Sequence, residues 1–390
     1  MKDIPAFKID RWVGTYGSDM ARQIALLIHE RPTYLPTGSC STALSLNELA
    51  QLSPTNATTA KGDDDPIDRD LALSYAPVLG SPELRARVAE LHSEPPSSSS
   101  SPSPPARALT AEDVIITPGS IMANYLVLAS LLAAGDHAVC QYPTNPCNPT
   151  GAVLLRESLE EIVALARKHD LTIISDEVFR PLFHNSDVPE PPSIVSLGYT
   201  KSVVTSSVSK AHGLPGIRLG WVASPDPSII AAAVAARDYT TISTSRLDDR
   251  VALYALSPGV LPALLGPQSG AVCARHRARG CGGAKWVRPA GGGTAFVRVS
   301  RGSGGQQRKQ QPVNDADFSA RLALERGVSV VPGGFCFSEG GGDEQEEEEE
   351  EEEDGGDFRG YVRLALGEET LRVALPILEE FVVRGYYYMC

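Results

Sequence analysis

Apolar positions recur along the chain in two alternating rhythms. Short apolar runs bounded by turn residues predict strands at Val114 to Thr117, His137 to Tyr142, Leu171 to Ser175 and from Val203, with a further run from Leu219. The run at Leu171 to Ser175 reads as a buried strand. Helical spacing fills the gaps: an apolar helix from Ser120 to about Leu132, an amphipathic one over Glu157 to His169, and a third from Pro227 to about Tyr239. Alternation of this kind predicts an α/β fold, a mostly parallel sheet wound with right-handed crossovers. Such sheets hold ligands at the carboxyl ends of their strands.

The flanks read differently. Ahead of the sheet come helices at Gly17 to Glu30 and Leu44 to Leu52, a loop over Asp63 to Asp70, and a helix opened by Ser81 as N-cap and Pro82 in its first turn. Behind it, Asp238 to Leu256 predicts a long helix leaving the large domain. Strands within Trp286 to Ser300 and Gly327 to Pro332, with a helix over Phe318 to Glu325, predict a smaller α+β domain. An alternating strand at Tyr361 to Leu366 and a closing helix over Glu368 to Val382 complete it.

Composition narrows the class. At 390 residues and 42% hydrophobic content the chain can bury one large core and a smaller one. No run of eighteen apolar residues and no apolar leader is seen, so neither a membrane span nor export is expected and the cytoplasm is the expected compartment. Seven scattered cysteines without a CxxC predict reduced thiols, and seven scattered histidines predict no metal. Twelve acids without a base between Asp343 and Asp357 account for nearly all of the net charge of −13, which makes 343–357 a solvated acidic loop and leaves nothing basic enough for nucleic acid. Residues 93–105, Ser/Pro-rich, read as a surface insertion.

Candidate chemistry gathers at strand ends. Lys210 follows the Val203 strand in a Ser-rich turn, where a lysine is either a surface group or an amine that joins a carbonyl cofactor as a Schiff base. Ser207, Ser209 and Arg218 around the same turn offer two hydroxyls and a guanidinium, which is phosphate-binding chemistry. A phosphorylated aldehyde suits both halves. The join Pro118-Gly119-Ser120-Ile121 puts the amides of a helix start beside a strand end, a natural phosphate cradle. Gly291 to Gly293 has no such setting and reads as a turn. Asp176, at the end of the Leu171 strand, either caps the next turn or needs a cationic partner.

Ser207-x-Ser209-Lys210 followed by Gly213-Leu214-Pro215-Gly216-Ile217-Arg218-Leu219-Gly220-Trp221 resembles the pyridoxal-phosphate lysine motif of class I/II aminotransferases of fold type I, the aspartate aminotransferase superfamily. Tyr75-x4-Gly80 with Leu84-Arg85, and Asn145-Pro146-Cys147-Asn148-Pro149-Thr150-Gly151, resemble two further elements of that family. The resemblance runs from about Leu71 to Val382. It implies pyridoxal 5'-phosphate as cofactor, joined to Lys210, with Asp176 at the ring nitrogen. It implies that Gly119, Ser120, Ile121, Ser207, Arg218 and Tyr75 of a second subunit hold the phosphate. Asn148 would meet the phenolic oxygen, Phe179 would stand where many relatives carry a tyrosine to that oxygen, and Arg363 would bind the substrate α-carboxylate. Amino-acid and 2-oxo-acid substrates, a homodimer with a shared site and a role in amino-acid metabolism or biosynthesis are implied as well. On this reading residues 1–47 are an N-terminal arm counted with the small domain, 48–255 the large cofactor domain and 256–390 the small domain.

Two departures qualify the activity expected. Thr144 runs directly into Asn145-Pro146, where the family usually places a few dozen residues and the aromatic side chain that stacks on the cofactor. Phe179 lacks the tyrosine hydroxyl. Amino transfer through Lys210 is the leading expectation; elimination or cyclisation of amino-acid-derived metabolites on the same machinery, and a shortened, impaired homologue, are the alternatives.

Overall fold

The computed structural model describes residues 43–53, 65–94, 107–139, 144–185, 189–266, 284–299, 313–337 and 358–384. The expected helix at Gly17 to Glu30, the acidic run and nearly all of the Ser/Pro-rich insertion lie outside them.

The larger sheet has the order β1 (Val114–Thr117), β4 (Gly220–Ala223), β3 (Ser202–Ser207), β2 (Ile173–Asp176). Only β2 and β3 pair in parallel; β4 is antiparallel to both β1 and β3. Among the described strands three share a direction, as expected of a mostly parallel sheet, and β4 is reversed between two of them. The reason lies in the connection. No crossover helix separates β3 from β4, so the chain returns directly and must pair antiparallel.

Helices follow the apolar spacing. α1 is Leu46–Gln51, α2 Pro82–Leu91, α3 Ser120–Leu131, α4 Arg156–His169, α5 Pro227–Asp238 and α6 Arg246–Ala255. Ser81 caps α2 by accepting from the Leu84 amide, with Pro82 in the first turn, as its sequence predicts. Val204, Trp221 and Ala223 pack with α2 and α6 on one face of the sheet. On the other, Ile115, Val203 and Val222 meet α3 and α5.

Three local expectations change. The long helix over Asp238 to Leu256 is broken: α5 stops at Asp238, and Ser245 caps α6 by accepting from the Asp248 amide. The Thr- and Ser-rich stretch between competes for its own backbone and disfavours helix. β2 is only partly buried, with Ile174 39% exposed, whereas β1, β3 and β4 are buried throughout. Residues 137–139 form no strand, and 140–143 lie outside the described residues. Among the described residues β2 is thus an edge of this sheet, and α3 turns Ile121, Tyr125 and Leu128 outward.

The second sheet is antiparallel throughout, ordered β5 (Ala284–Val287), β6 (Thr294–Val299), β8 (Tyr361–Ala365), β7 (Val331–Pro332). α7 (Asp315–Arg326), α8 (Gly333–Phe337) and α9 (Glu368–Arg384) accompany it. Its own core joins Val297, Phe318, Val362 and Phe381. A seam ties this unit to the large sheet: Ala290 and Gly291 donate to the Gly151 carbonyl, and Gly292 donates to Leu182. At Gly151, φ +71°, a Cβ would stand 2.3 Å from that of Pro289, so only glycine lets the strap lie this close.

Candidate active site

The site is built where β1, β4 and β3 end level with one another. Register sets Thr117 and Ser207 opposite Gly220 on either side. Gly119, at φ +82°, then turns the chain into α3, whose first-turn amides have no partner within the helix. A Cβ on Gly119 would lie 2.5 Å from Arg218 Nη2, so the guanidinium rests against the bare α-carbon. Arg218 Nη1 donates to Ser209 Oγ at 3.3 Å and to the Pro215 carbonyl at 3.0 Å. The Ser209 amide donates to the buried Ser207 Oγ at 3.2 Å. Helix amides, two hydroxyls and a guanidinium with no acid among them form a donor set that fits a phosphate dianion.

Lys210 follows Ser209, half-buried in the same turn. Asp176, level with Thr205 on the neighbouring strand, closes the other side. Its Oδ2 accepts from Asn124 Nδ2 and its Oδ1 from the Val178 amide, both at 3.0 Å. Thr205 Oγ1 in turn donates to Asn124 Oδ1, which fixes the amide's orientation. Burial pushes the Asp176 carboxyl up to about 6, against the Asn124 and Val178 hydrogen bonds, with Glu177 adding to the rise and Lys210 opposing it. A carboxyl so placed suits a cationic ring nitrogen, whose arrival would favour its charged form.

From Asp176 the contacts run on to the smaller unit. The Asn145 amide donates to the Asp176 carbonyl at 2.9 Å. Asn148, in the same loop, accepts at Oδ1 from Arg363 Nη1 at 3.1 Å. Arg363 is buried on β8, with its guanidinium carbon 5.7 Å from the centre of the Phe337 ring. Lys210, Asp176, Gly119, Ser120, Ser207 and Arg218 thus gather at one end of the large sheet, with Asn148 and Arg363 bonded to each other beside it. Two of the expected residues stand apart. Tyr75 is 87% exposed, on a segment held by Arg246, which donates to the Ala72 carbonyl and Ser74 Oγ. Ile121 turns its side chain outward, so only its amide can serve the cradle. Phe179 is buried, its ring against Gly292.

Sequence reasoning missed the layer beneath. Trp221 Nε1 donates to His92 Nε2 at 2.9 Å, which makes that nitrogen an acceptor and leaves Nδ1 to carry the proton of the neutral ring. His92 Nδ1 lies 3.0 Å from Ser193 Oγ and 3.4 Å from Glu177 Oε2. Burial opposes charge on Glu177, yet His92, Arg180 and the Ile194 amide hold it below the usual carboxylate range. Asn124 had one signal, a lone amide in an otherwise apolar helical stretch. Among the described residues no group of His, Cys, Asp and Glu is arranged to hold a metal, and no helix is long and apolar enough to cross a membrane.

Residues 142–259 match the family model described as aminotransferase class I and II. An aspartate aminotransferase of Streptomyces avermitilis is 30% identical over 195 residues, 48% of this chain and 47% of that protein. Capreomycidine synthase of Streptomyces vinaceus is 31% identical over 203 residues, 48% and 46% of the two chains. These matches span about half the length of the curated relatives. Among solved structures, a PLP-dependent aminotransferase from Streptococcus suis superposes with a TM-score of 0.74 at 26% identity, covering 98% of this chain and 99% of the other.

Proposed function

We propose that the chain is a member of the class I and II aminotransferase family, whose model residues 142–259 match, and that it moves an amino group between an amino acid and a 2-oxo acid with pyridoxal 5'-phosphate as cofactor. The observation that carries the reading is the convergence of Lys210, Asp176 and the Gly119–Arg218 contact at one end of one sheet. The cofactor supplies an electron-withdrawing ring that lowers the barrier to proton loss at the substrate α-carbon.

This chain's residues do the rest. Gly119, Ser120, Ser207, Ser209 and Arg218 would hold the phosphate, and Lys210 Nζ would hold the aldehyde carbon. Released from it, the Lys210 amine would be the group that carries the proton to and from the substrate α-carbon. Asp176 would favour a protonated ring nitrogen, and Asn124 keeps Asp176 in place. Arg363 binds the α-carboxylate as a fork, with Asn148 and Phe337 fixing its plane. In a homodimer the partner subunit's Tyr75 would complete the phosphate site, which accounts for an exposed tyrosine beside the segment that Arg246 pins.

Gly119→Ala tests the cradle. The new Cβ meets Arg218 at a φ that side chains rarely adopt, a strain of about 1–2 kcal/mol. Cofactor affinity, read by fluorescence titration, is expected to fall by about 10-fold.

Elimination or cyclisation on the same residues is the second reading, because proton loss at the substrate α-carbon serves it equally well. A screen of amino acids on cofactor-saturated protein, with and without a 2-oxo acid, separates the two. Transfer expects turnover that stops without the acceptor; equal turnover without it overturns transfer in favour of elimination or cyclisation. Protein that stays colourless with excess pyridoxal phosphate would support the impaired homologue that the short Thr144–Asn145 junction suggests.

A further inference from the structure

Glu177 follows Asp176 directly, so the two carboxyls leave the chain on opposite sides of the sheet: Asp176 meets Asn124 of α3, and Glu177 meets His92 at the end of α2. Glu177 and His92 are each 3% exposed. Glu177 Oε1 accepts from the Ile194 amide at 2.9 Å, and Oε2 faces His92 Nδ1 at 3.4 Å and Arg180 Nε at 3.9 Å. The chemistry of amino transfer uses neither residue. Buried ionic and polar groups cost more than apolar groups of the same volume, and where they persist they can hold one arrangement against its competitors.

From His92 the contacts run back to the active-site turn. His92 Nε2 accepts from Trp221 Nε1 at 2.9 Å, and the Trp221 ring meets the buried His212 ring edge-on, with centroids 6.4 Å apart at 63°. His212 stands two residues past Lys210, in the turn that the Gly213 amide closes on the Lys210 carbonyl at 3.3 Å. Trp221 lies opposite Ser206, whose hydroxyl donates to the Glu177 carbonyl at 3.1 Å. One connected set therefore touches both the strand end that carries Asp176 and the turn that carries Lys210.

Resting on the function read from that site above, we propose that Glu177 and His92 are its positioning residues: through Trp221 they join the Asp176 strand end to the Lys210 turn, and they place a fixed negative charge behind the Asp176 carboxyl. Burial opposes that charge, but His92, Arg180 and the Ile194 amide hold Glu177 below the ordinary carboxylate range. At Asp176 burial is the main cause of the rise and the field of Glu177 adds to it, against Asn124, the Val178 amide and Lys210. His212, pulled down to about 4 by burial, stays uncharged over most of the range in which Asp176 titrates.

Cofactor-free protein carries the first measurement. Urea midpoints from pH 4 to pH 7 are compared for wild type, Asp176→Asn, Glu177→Gln and the double variant, so that the Asp176-dependent decline with rising pH is read in both backgrounds. With residue 177 neutral, Asp176 gives up its proton more readily, and the decline should be smaller and end about 0.5 pH unit lower. A decline at the same pH in both backgrounds overturns the proposal. Turnover of cofactor-saturated protein carries the second. His92→Leu should lose about 10-fold in kcat with KM for the amino acid kept within about twofold, since Arg363 is untouched, and His92→Gln, which still offers Trp221 an acceptor, should recover most of the loss. A packing role alone predicts the reverse order, because leucine fills the space and glutamine brings an amide into it. Wild-type kcat in His92→Leu, or no recovery in His92→Gln, overturns the proposal; should His92→Leu fail to fold, Trp221→Phe, which removes the indole N–H, takes its place with the same expectation. Protein without transfer activity still gives the urea comparison, so the positioning role and the proposed function fail separately.

Discussion

Lys210→Ala protein is expected to lose turnover by at least about 10^3-fold and to release all its pyridoxal phosphate on denaturation, even after borohydride treatment. Wild-type protein treated alike should carry the added mass on the peptide that holds Lys210. The size of the effect follows from position. Lys210 is the lysine of the turn that also holds Ser207 and Ser209, against the strand end where Asp176 stands. Lys201, at the opposite end of β3, is engaged with Asp170 at 2.7 Å and cannot reach across the strand to replace it. Exogenous amines should restore part of the activity, since proton transfer needs an amine more than it needs this one. Label on another peptide, or turnover kept by the variant, would remove Lys210 from the mechanism.

Asp176→Asn should cost about 10^2–10^4-fold in turnover while leaving Lys210 labelled, because the variant separates holding the cofactor from tuning its ring. A second measurement on cofactor-free protein checks the same carboxyl without any catalysis. With its folded value raised to about 6 from an ordinary 3.8, Asp176 binds its proton more tightly in the folded state. Between about pH 4 and pH 6 the folded state therefore holds more protons than the unfolded one, and stability falls as pH rises through that window. The loss attributable to Asp176, discounted for its partial exposure, is about 1–2 kcal/mol. Urea midpoints from pH 4 to pH 7 should show this decline in wild type and not in Asp176→Asn. Parallel curves for the two proteins would mean that the carboxyl is not perturbed.

Much of this site was legible because its parts are local. The capping Ser81-Pro82 pair, the glycine before α3 and the Ser207-to-Trp221 stretch each state their backbone needs in adjacent residues. What escaped is long-range. Asn124 meets Asp176 across 52 residues of chain, and Trp221 meets His92 across 129, pairs that no periodicity encodes. The direction of β4 escaped for a related reason: strand alternation shows where strands lie, whereas direction depends on whether a crossover intervenes. The exposure of β2 depends on what stands beside it, and a short apolar run reads the same at the edge of a sheet as at its centre.

That edge bears on how the protein can be handled. Among the described residues one side of β2 carries backbone groups able to pair with another strand, next to the exposed Ile174. Crowded copies can satisfy those groups on one another, so concentrating the sample invites clumping that has nothing to do with unfolding. A lysine at the outward Ile174 would blunt the tendency while leaving the chemistry at the far end of the strand untouched.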